Sequence, residues 1–245
     1  RVWEIPLGTR TSKGKAGANL VTLRPEEKIT SLLTYDKDSP MVNTTFVLMS
    51  TKEGTVKKTP FDQFAHIRTN GIVAIKLDAK DELLWVGLTD GKKHVILTTR
   101  DGKAIVFNES EIRPTGRSSM GVRGITLENN NAVIAAHAFG SEGFKQNLFV
   151  IGERGVGKKT QLSNFKGQHR AGKGVKVASV DDKMGKIAFV EIVRDGDDGV
   201  IITSSQGQVV KIPLKDIPSR SRSAKGVILM RFSQNGDKVS TATLV

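Results

Sequence analysis

The chain has 245 residues, 38% of them hydrophobic, with 38 Lys and Arg against 25 Asp and Glu, a net charge of +13 and no cysteine. These values exclude a disordered polymer, disulfide staples, thiolate metal sites and cysteine nucleophiles, and there is neither an apolar run long enough to cross a bilayer nor a visible secretion signal. A pI near 10 points to a polyanionic partner such as nucleic acid without saying where it binds.

Five related units are predicted in chain order. The first, approximately 1–45, is partial: Arg1 to Pro6 aligns with Asn108 to Arg113, and its hairpin is expected upstream of Arg1, as a missing half blade. It carries RTSKG, Arg10 to Gly14. The second, 46–93, opens with FVLMSTKEGTVKKTP, a strand, a Glu-Gly turn at Gly54 and a second strand, followed by a compressed RTNG from Arg68 to Gly71. The third, 94–146, has HVILTTRDGKAIVFN about Gly102, then RSSMG from Arg117 to Gly121. In the fourth, 147–198, the hairpin is NLFVIGERGVGKKTQ about Gly155 and the arm is RAGKG, Arg170 to Gly174. The fifth, 199–245, has GVIITSSQGQVVKIP about Gly207 and RSAKG, Arg222 to Gly226.

The turn glycines are 48, 53 and 52 residues apart, and an arm arginine follows its turn glycine by 14 or 15 residues. A period near 50 belongs to propellers and related arrays. Beyond each arm lie two more apolar runs: IVAIKL and LLWVGLT, GITL and AVIAAHAF, VKVASV and KIAFVEIV, VILMRF and KVSTATLV. Each unit therefore supplies about four strands. Strands this short cannot bury an apolar face alone, so neighbouring units must stack or exchange strands. The prediction is a single all-β domain over 1–245, a propeller-like array of about five to six four-stranded blades, without helical periodicity anywhere.

Catalytic chemistry is thin. GERGVGKKT, Gly152 to Thr160, has the G-x-x-x-x-G-K spacing of a phosphate loop, but Lys159 stands where magnesium needs a hydroxyl and the repeat puts the segment in a hairpin, with no helix to follow. His66, His94, His137 and His169 occupy unrelated repeat positions and lack metal-ligand spacing. DGDD, Asp195 to Asp198, reads as a turn between strands. No nucleophile or acid–base pair stands out, so the domain is expected to be non-catalytic by itself and to hold no metal or cofactor.

Charge gathers at the arms. Arg10 with Lys13 and Lys15, Arg68, Arg117 with Arg113 and Arg123, Arg170 with His169, Lys173 and Lys176, and Arg222 with Arg220 and Lys225 are candidates for a basic belt that meets duplex DNA through its phosphates. Lys57, Lys58, Lys158 and Lys159, on outgoing hairpin strands, are expected to add to this rim. The arm glycine would let the backbone turn or approach a phosphate. In the competing reading each arm arginine pairs with a carboxylate of the next unit and only packs the array, and the whole is a propeller-type scaffold for protein interactions. An aromatic content of 5% argues against stacking single strands.

The phrases GTVKKTPFDQF, VAIKL, GVRGITL and KGVILMRF, ordered at this period and combined with the R-x-x-x-G arms, resemble the C-terminal domain of the DNA gyrase A subunit over essentially the whole chain. The resemblance implies a β-pinwheel of up to six blades with strands exchanged between neighbours, which wraps duplex DNA on its outer rim. It further implies a cytoplasmic A2B2 enzyme with the gyrase B subunit, handed strand passage and negative supercoiling driven by ATP and magnesium held on other domains. The family's catalytic tyrosine lies outside this chain, so Tyr35 is not that residue. The diagnostic heptapeptide QRRGGKG is expected upstream of Arg1; the nearest match is QHRAGKG, Gln168 to Gly174. The related topoisomerase IV subunit, which decatenates, has a similar domain and remains an alternative.

Overall fold

The computed structural model describes residues 8–9, 23, 27–35, 44–65, 71–128 and 130–245. Its strands are β1 (Phe46–Thr51), β2 (Thr55–Pro60), β3 (Leu83–Thr89), β4 (His94–Thr99), β5 (Lys103–Asn108), β6 (Val122–Arg123), β7 (Val133–Phe139), β8 (Asn147–Gly152), β9 (Val156–Gln161), β10 (Val175–Lys176), β11 (Ile187–Val193), β12 (Gly199–Ser204), β13 (Val209–Pro213), β14 (Val227–Ile228) and β15 (Val239–Leu244). Among the described residues there is no α-helix, and no helix is long and apolar enough to cross a membrane.

Among the described residues four antiparallel sheets form, ordered β3-β1-β2-β6, β10-β5-β4-β7, β11-β8-β9-β14 and β13-β12-β15. Each joins a unit's hairpin to its own last strand, and three are completed by a two-residue strand from the following unit. Thr55 and Val56 pair with Arg123 and Val122, Ala104 and Lys103 with Val175 and Lys176, and Gly157 and Val156 with Val227 and Ile228. The exchange is therefore present, with much shorter strands than the apolar runs GITL, VKVASV and VILMRF suggested. The reason lies in the hydrogen bonds: past those two residues the chain leaves the ladder and folds over the hairpin tip. The amides of Gly124 and Ile125 donate to the Gly54 carbonyl, Val177 to Gly102, and Leu229 and Met230 to Gly155. IVAIKL forms no strand.

Period-2 alternation assigns the two faces of each central strand to different neighbours. Val95 and Leu97 of β4 pack with Leu48 and Val56 of the first sheet, while Ile96 faces Leu148 and Val150 of the third. Phe149 and Ile151 then face Val200 and Ile202 of the fourth. The core is thus a series of layers between sheets, which is why strands buried on both faces read as nearly continuous apolar runs. The last strands β3, β7, β11 and β15 contact one another in that order. The sheets converge along that edge, and the exchanged strands with their arms lie along the opposite one.

Candidate nucleic-acid interface

Each of the three described arms carries the chain from its own hairpin to the outer strand of the preceding sheet. The arm must cross very near that strand's backbone. A Cβ on Gly174 would lie 2.7 Å from the Ala104 carbonyl oxygen, and one on Gly226 2.4 Å from that of Gly157. The arm glycine therefore serves the sheet edge, and Gly121 and Gly174 also take the positive φ, 101° and 71°, that a turn there needs.

The three described arm arginines are half-buried and do one thing in common. Arg117 Nη1 donates to the Val73 carbonyl at 3.1 Å, Arg170 Nη1 to that of Arg123 at 3.1 Å, and Arg222 Nη1 to that of Lys176 at 3.2 Å. Each acceptor lies two residues beyond the preceding arm's glycine, so the arginines tether successive arms. Arg170 Nε also donates to the Glu111 carbonyl at 3.1 Å, and Arg222 stacks 5.7 Å from the Phe165 ring centre. Among the described residues none of these three guanidinium groups pairs with a carboxylate. A packing role between units is real, as the competing reading required, but it is met by neutral carbonyls that leave the positive charges standing.

Around the arms the charges divide into two sets. Arg113, Arg123, Lys176 and Arg220 are exposed and form no ion pair with a described carboxylate. Lys173 is 2.7 Å from Glu128, which also receives Lys103, and Lys225 is 3.0 Å from Asp181. Hydrogen bonds from Lys103 and Lys173 pull the Glu128 carboxyl down to about 2, and Lys225 lowers that of Asp181. His169 is exposed, with Nδ1 3.4 Å from Glu111. Such surface pairs are weak and are open to exchange for a phosphate. Arg10, Lys13, Lys15 and Arg68 lie outside the described residues, as does His66.

The hairpin lysines depart from expectation. Lys57 and Lys158 are 0% exposed, Lys58 is 4% exposed and Lys159 is half-buried, so they do not add to an exposed rim. Their ammonium groups face backbone carbonyls: Lys57 Nζ reaches Ala74 (2.7 Å) and Arg117 (2.5 Å), and Lys158 Nζ reaches Ser221 (2.8 Å), Arg222 (2.6 Å) and Ala224 (2.8 Å). Lys58 and Lys159 donate in the same way to Glu109 (2.8 Å) and Leu214 (2.6 Å). Burial, more than the nearby arginines, brings both Lys57 and Lys158 down to about 8, and it lowers Lys58 and Lys159 as well. The repeat held a signal for this burial. Aligned on the turn glycines, Lys57 and Lys158 share a register with the core residue Ile105 and with Val210. The acidic partners were also missed; Glu128 and Asp181 both stand seven residues past an arm glycine.

Within GERGVGKKT, Gly152 ends β8, Gly155 takes the turn at φ 75° and β9 follows, so no helix N-terminus is available for a nucleotide. Asp195 to Asp198 form the turn between β11 and β12, with Asp197 Oδ2 accepting from the Arg194 amide at 2.7 Å. No metal-holding cluster occurs among the described residues.

Comparison with known proteins places these features. The family described as DNA gyrase C-terminal domain, beta-propeller, matches residues 1–36, 45–90, 93–139, 146–194 and 200–245. The chain is 39% identical over 241 residues to the DNA gyrase A subunit of Clostridium acetobutylicum, covering 97% of the chain and 28% of that protein. It is 36% identical over 244 residues to the DNA gyrase A subunit of Haloquadratum walsbyi, covering 99% of the chain and 28% of the relative. It thus spans little more than a quarter of these relatives. Among solved structures, the C-terminal domain of a DNA topoisomerase IV superposes with a TM-score of 0.84 at 25% identity, over 95% of this chain and 70% of that one.

Proposed function

The chain belongs to the DNA gyrase C-terminal domain family, and from that premise we propose that it wraps duplex DNA along its arm-bearing edge as part of a type II topoisomerase. The observation that carries the reading is the row of Arg117, Arg170 and Arg222, whose guanidinium groups are held by neutral carbonyls of neighbouring arms and pair with no carboxylate among the described residues. Preorganised cations along one edge suit a regularly spaced polyanion, and phosphate contacts fix register without reading sequence. Wrapping has an energetic threshold. Bending 20–30 bp by 40–90° costs on the order of 1–6 kcal/mol, so one or two phosphate contacts cannot hold the bend and several acting together are needed.

In this reading the domain binds and bends, while strand cleavage, ATP and magnesium belong to parts outside this chain. It works in the cytoplasm with the gyrase B subunit, joined to the remainder of the gyrase A polypeptide, and its wrap gives strand passage a fixed hand, hence negative supercoiling. The test closes nicked circular DNA with ligase in the presence and absence of the chain. A shifted linking number in the products is expected, and a smaller shift with Arg117, Arg170 and Arg222 all changed to Ala. An unchanged linking number with the wild-type chain would overturn wrapping.

The fit to the topoisomerase IV domain favours one second reading, in which the same edge grips the transported segment for decatenation. The two separate on one comparison: an enzyme that resolves linked circles efficiently and leaves relaxed circles unsupercoiled is of the second kind.

A further inference from the structure

Two of the three described arms rest on a buried ammonium group, and the third does not. Beneath Arg117–Gly121 lies Lys57, and beneath Arg222–Gly226 lies Lys158, whereas the arm of Arg170 lies over Ile105, whose Cδ1 would be 3.3 Å from a Cβ on Gly172. The two lysine-backed arms share a geometry: the Arg117 and Arg222 carbonyls both turn inward to accept from the ammonium. No peptide bond is cis among the described residues, so the N–H of each such peptide points the opposite way, outward. Those N–H groups belong to Ser118 and Ser223, both exposed, and neither amide has an acceptor among the described residues. Each has its own serine hydroxyl beside it. An outward amide, a hydroxyl and an arm guanidinium are the elements of an oxyanion seat.

We infer that Lys57 and Lys158 are positioning residues of the DNA-binding edge: by drawing the arm carbonyls inward, they present the Ser118 and Ser223 amides outward to phosphate. The inference rests on the reading of this edge as a DNA surface. An apolar side chain at the same register, as in the arm over Ile105, seats an arm without organising its carbonyls.

Protonation is the lever that separates positioning from mere packing. The ammonium of Lys158 holds three carbonyls with three N–H donors; a neutral amine has two and turns a lone pair toward the carbonyls. The charged groups facing these lysines are Arg117 for Lys57, and Arg220 and Arg222 for Lys158. Both lysines therefore lose their protons near pH 8, while in the unfolded chain they keep them to about 10.5. Between those values the unfolded state binds more protons, so these groups raise folding stability as pH rises. Anchoring of the arms moves the other way.

The experiment measures binding of the full chain to a duplex of random sequence at pH 7 and pH 9 at fixed salt, with thermal unfolding recorded at both. Wild-type affinity is expected to fall about tenfold, the scale of losing one to two phosphate contacts, without a fall in melting temperature. The Lys57→Met/Lys158→Met variant is expected to bind weakly at both pH values with a flat profile. Arg170→Ala is expected to keep the full pH-dependent drop. Failure of the wild type to bind duplex at pH 7 sinks the DNA reading itself and this inference with it. A wild type that binds equally at both pH values, or a double variant with wild-type affinity and profile, overturns the positioning role alone. Should the double variant not fold, the wild-type profile decides.

Discussion

Glu109 is fully buried, and its carboxylate is tied on both oxygens. Oε1 accepts from the Lys93 amide at 2.6 Å, Oε2 accepts from the Thr89 hydroxyl at 2.7 Å, and the Lys58 ammonium lies 3.9 Å away. Burial lowers the lysine's affinity for its proton and Glu109 partly restores it, so the two are stable only together. Glu109→Ala is expected to lower stability by about 3–5 kcal/mol, because an uncompensated buried charge and two unpaired donors remain. The urea midpoint measures this, and a loss under about 1 kcal/mol would show that water already reaches the pair. At this scale the sequence was least legible. A Lys-Lys pair on a strand reads as solvated because burying a charge is costly, and that cost is met here by carbonyls from segments far along the chain, such as Arg222 for Lys158. Only comparison across the repeat, where Ile105 and Val210 hold the same register, exposes the position as an inward one.

Among the elements, the hairpins were legible and the exchanged strands were not. Turn chemistry is local: Gly54, Gly102, Gly155 and Gly207 all have φ between 75° and 86°, a region where other residues are strained. A two-residue strand such as Val227–Ile228 has no periodicity to read, and its pairing is set by the backbone it crosses. The same exchange makes equivalent glycines unequal. A Cβ on Gly155 would lie 2.4 Å from the Met230 carbonyl oxygen of the following unit, whereas one on Gly207 meets nothing within 4 Å. Gly207→Ala is therefore expected to cost about 1–2 kcal/mol, the ordinary left-handed penalty. Gly155→Ala should cost clearly more, since a backbone must move as well. Denaturant melts of the two variants compare them, and equal losses would mean that the 229–230 segment yields freely.

Over the whole molecule, the net charge of +13 is partly spent internally. Lys57, Lys58, Lys158 and Lys159 hold carbonyls, and Lys173 and Lys225 are shared with carboxylates. The arm cations that no described carboxylate pairs are Arg113, Arg117, Arg123, Arg170, Lys176, Arg220 and Arg222. If all engage phosphates, DNA affinity is expected to fall by about three to four orders of magnitude from 50 to 200 mM salt. Changing Arg117, Arg170 and Arg222 to Ala should flatten the log–log slope by about 2.7. A slope unaltered by that triple change would assign binding to other cations. The basic balance points to this class of partner but not to which cations are free, because that division is made by tertiary contacts such as Lys103 and Lys173 on Glu128.

The exchanged strands also bear on how the chain is made. The strand that completes the first sheet begins at Val122, roughly sixty residues after β2 ends at Pro60, and the next two sheets wait similarly for Val175 and Val227. At about 5–20 residues per second, each hairpin emerges from the ribosome several seconds before its edge can be covered. During that interval β2, β5 and β9 present open strand edges, with Lys57 and Lys158 still lacking the arm carbonyls that later receive them. A nascent edge that carries an ammonium group resists pairing with its neighbours, so the lysines that set the arms in the finished molecule also guard the first and third hairpins while it is being built.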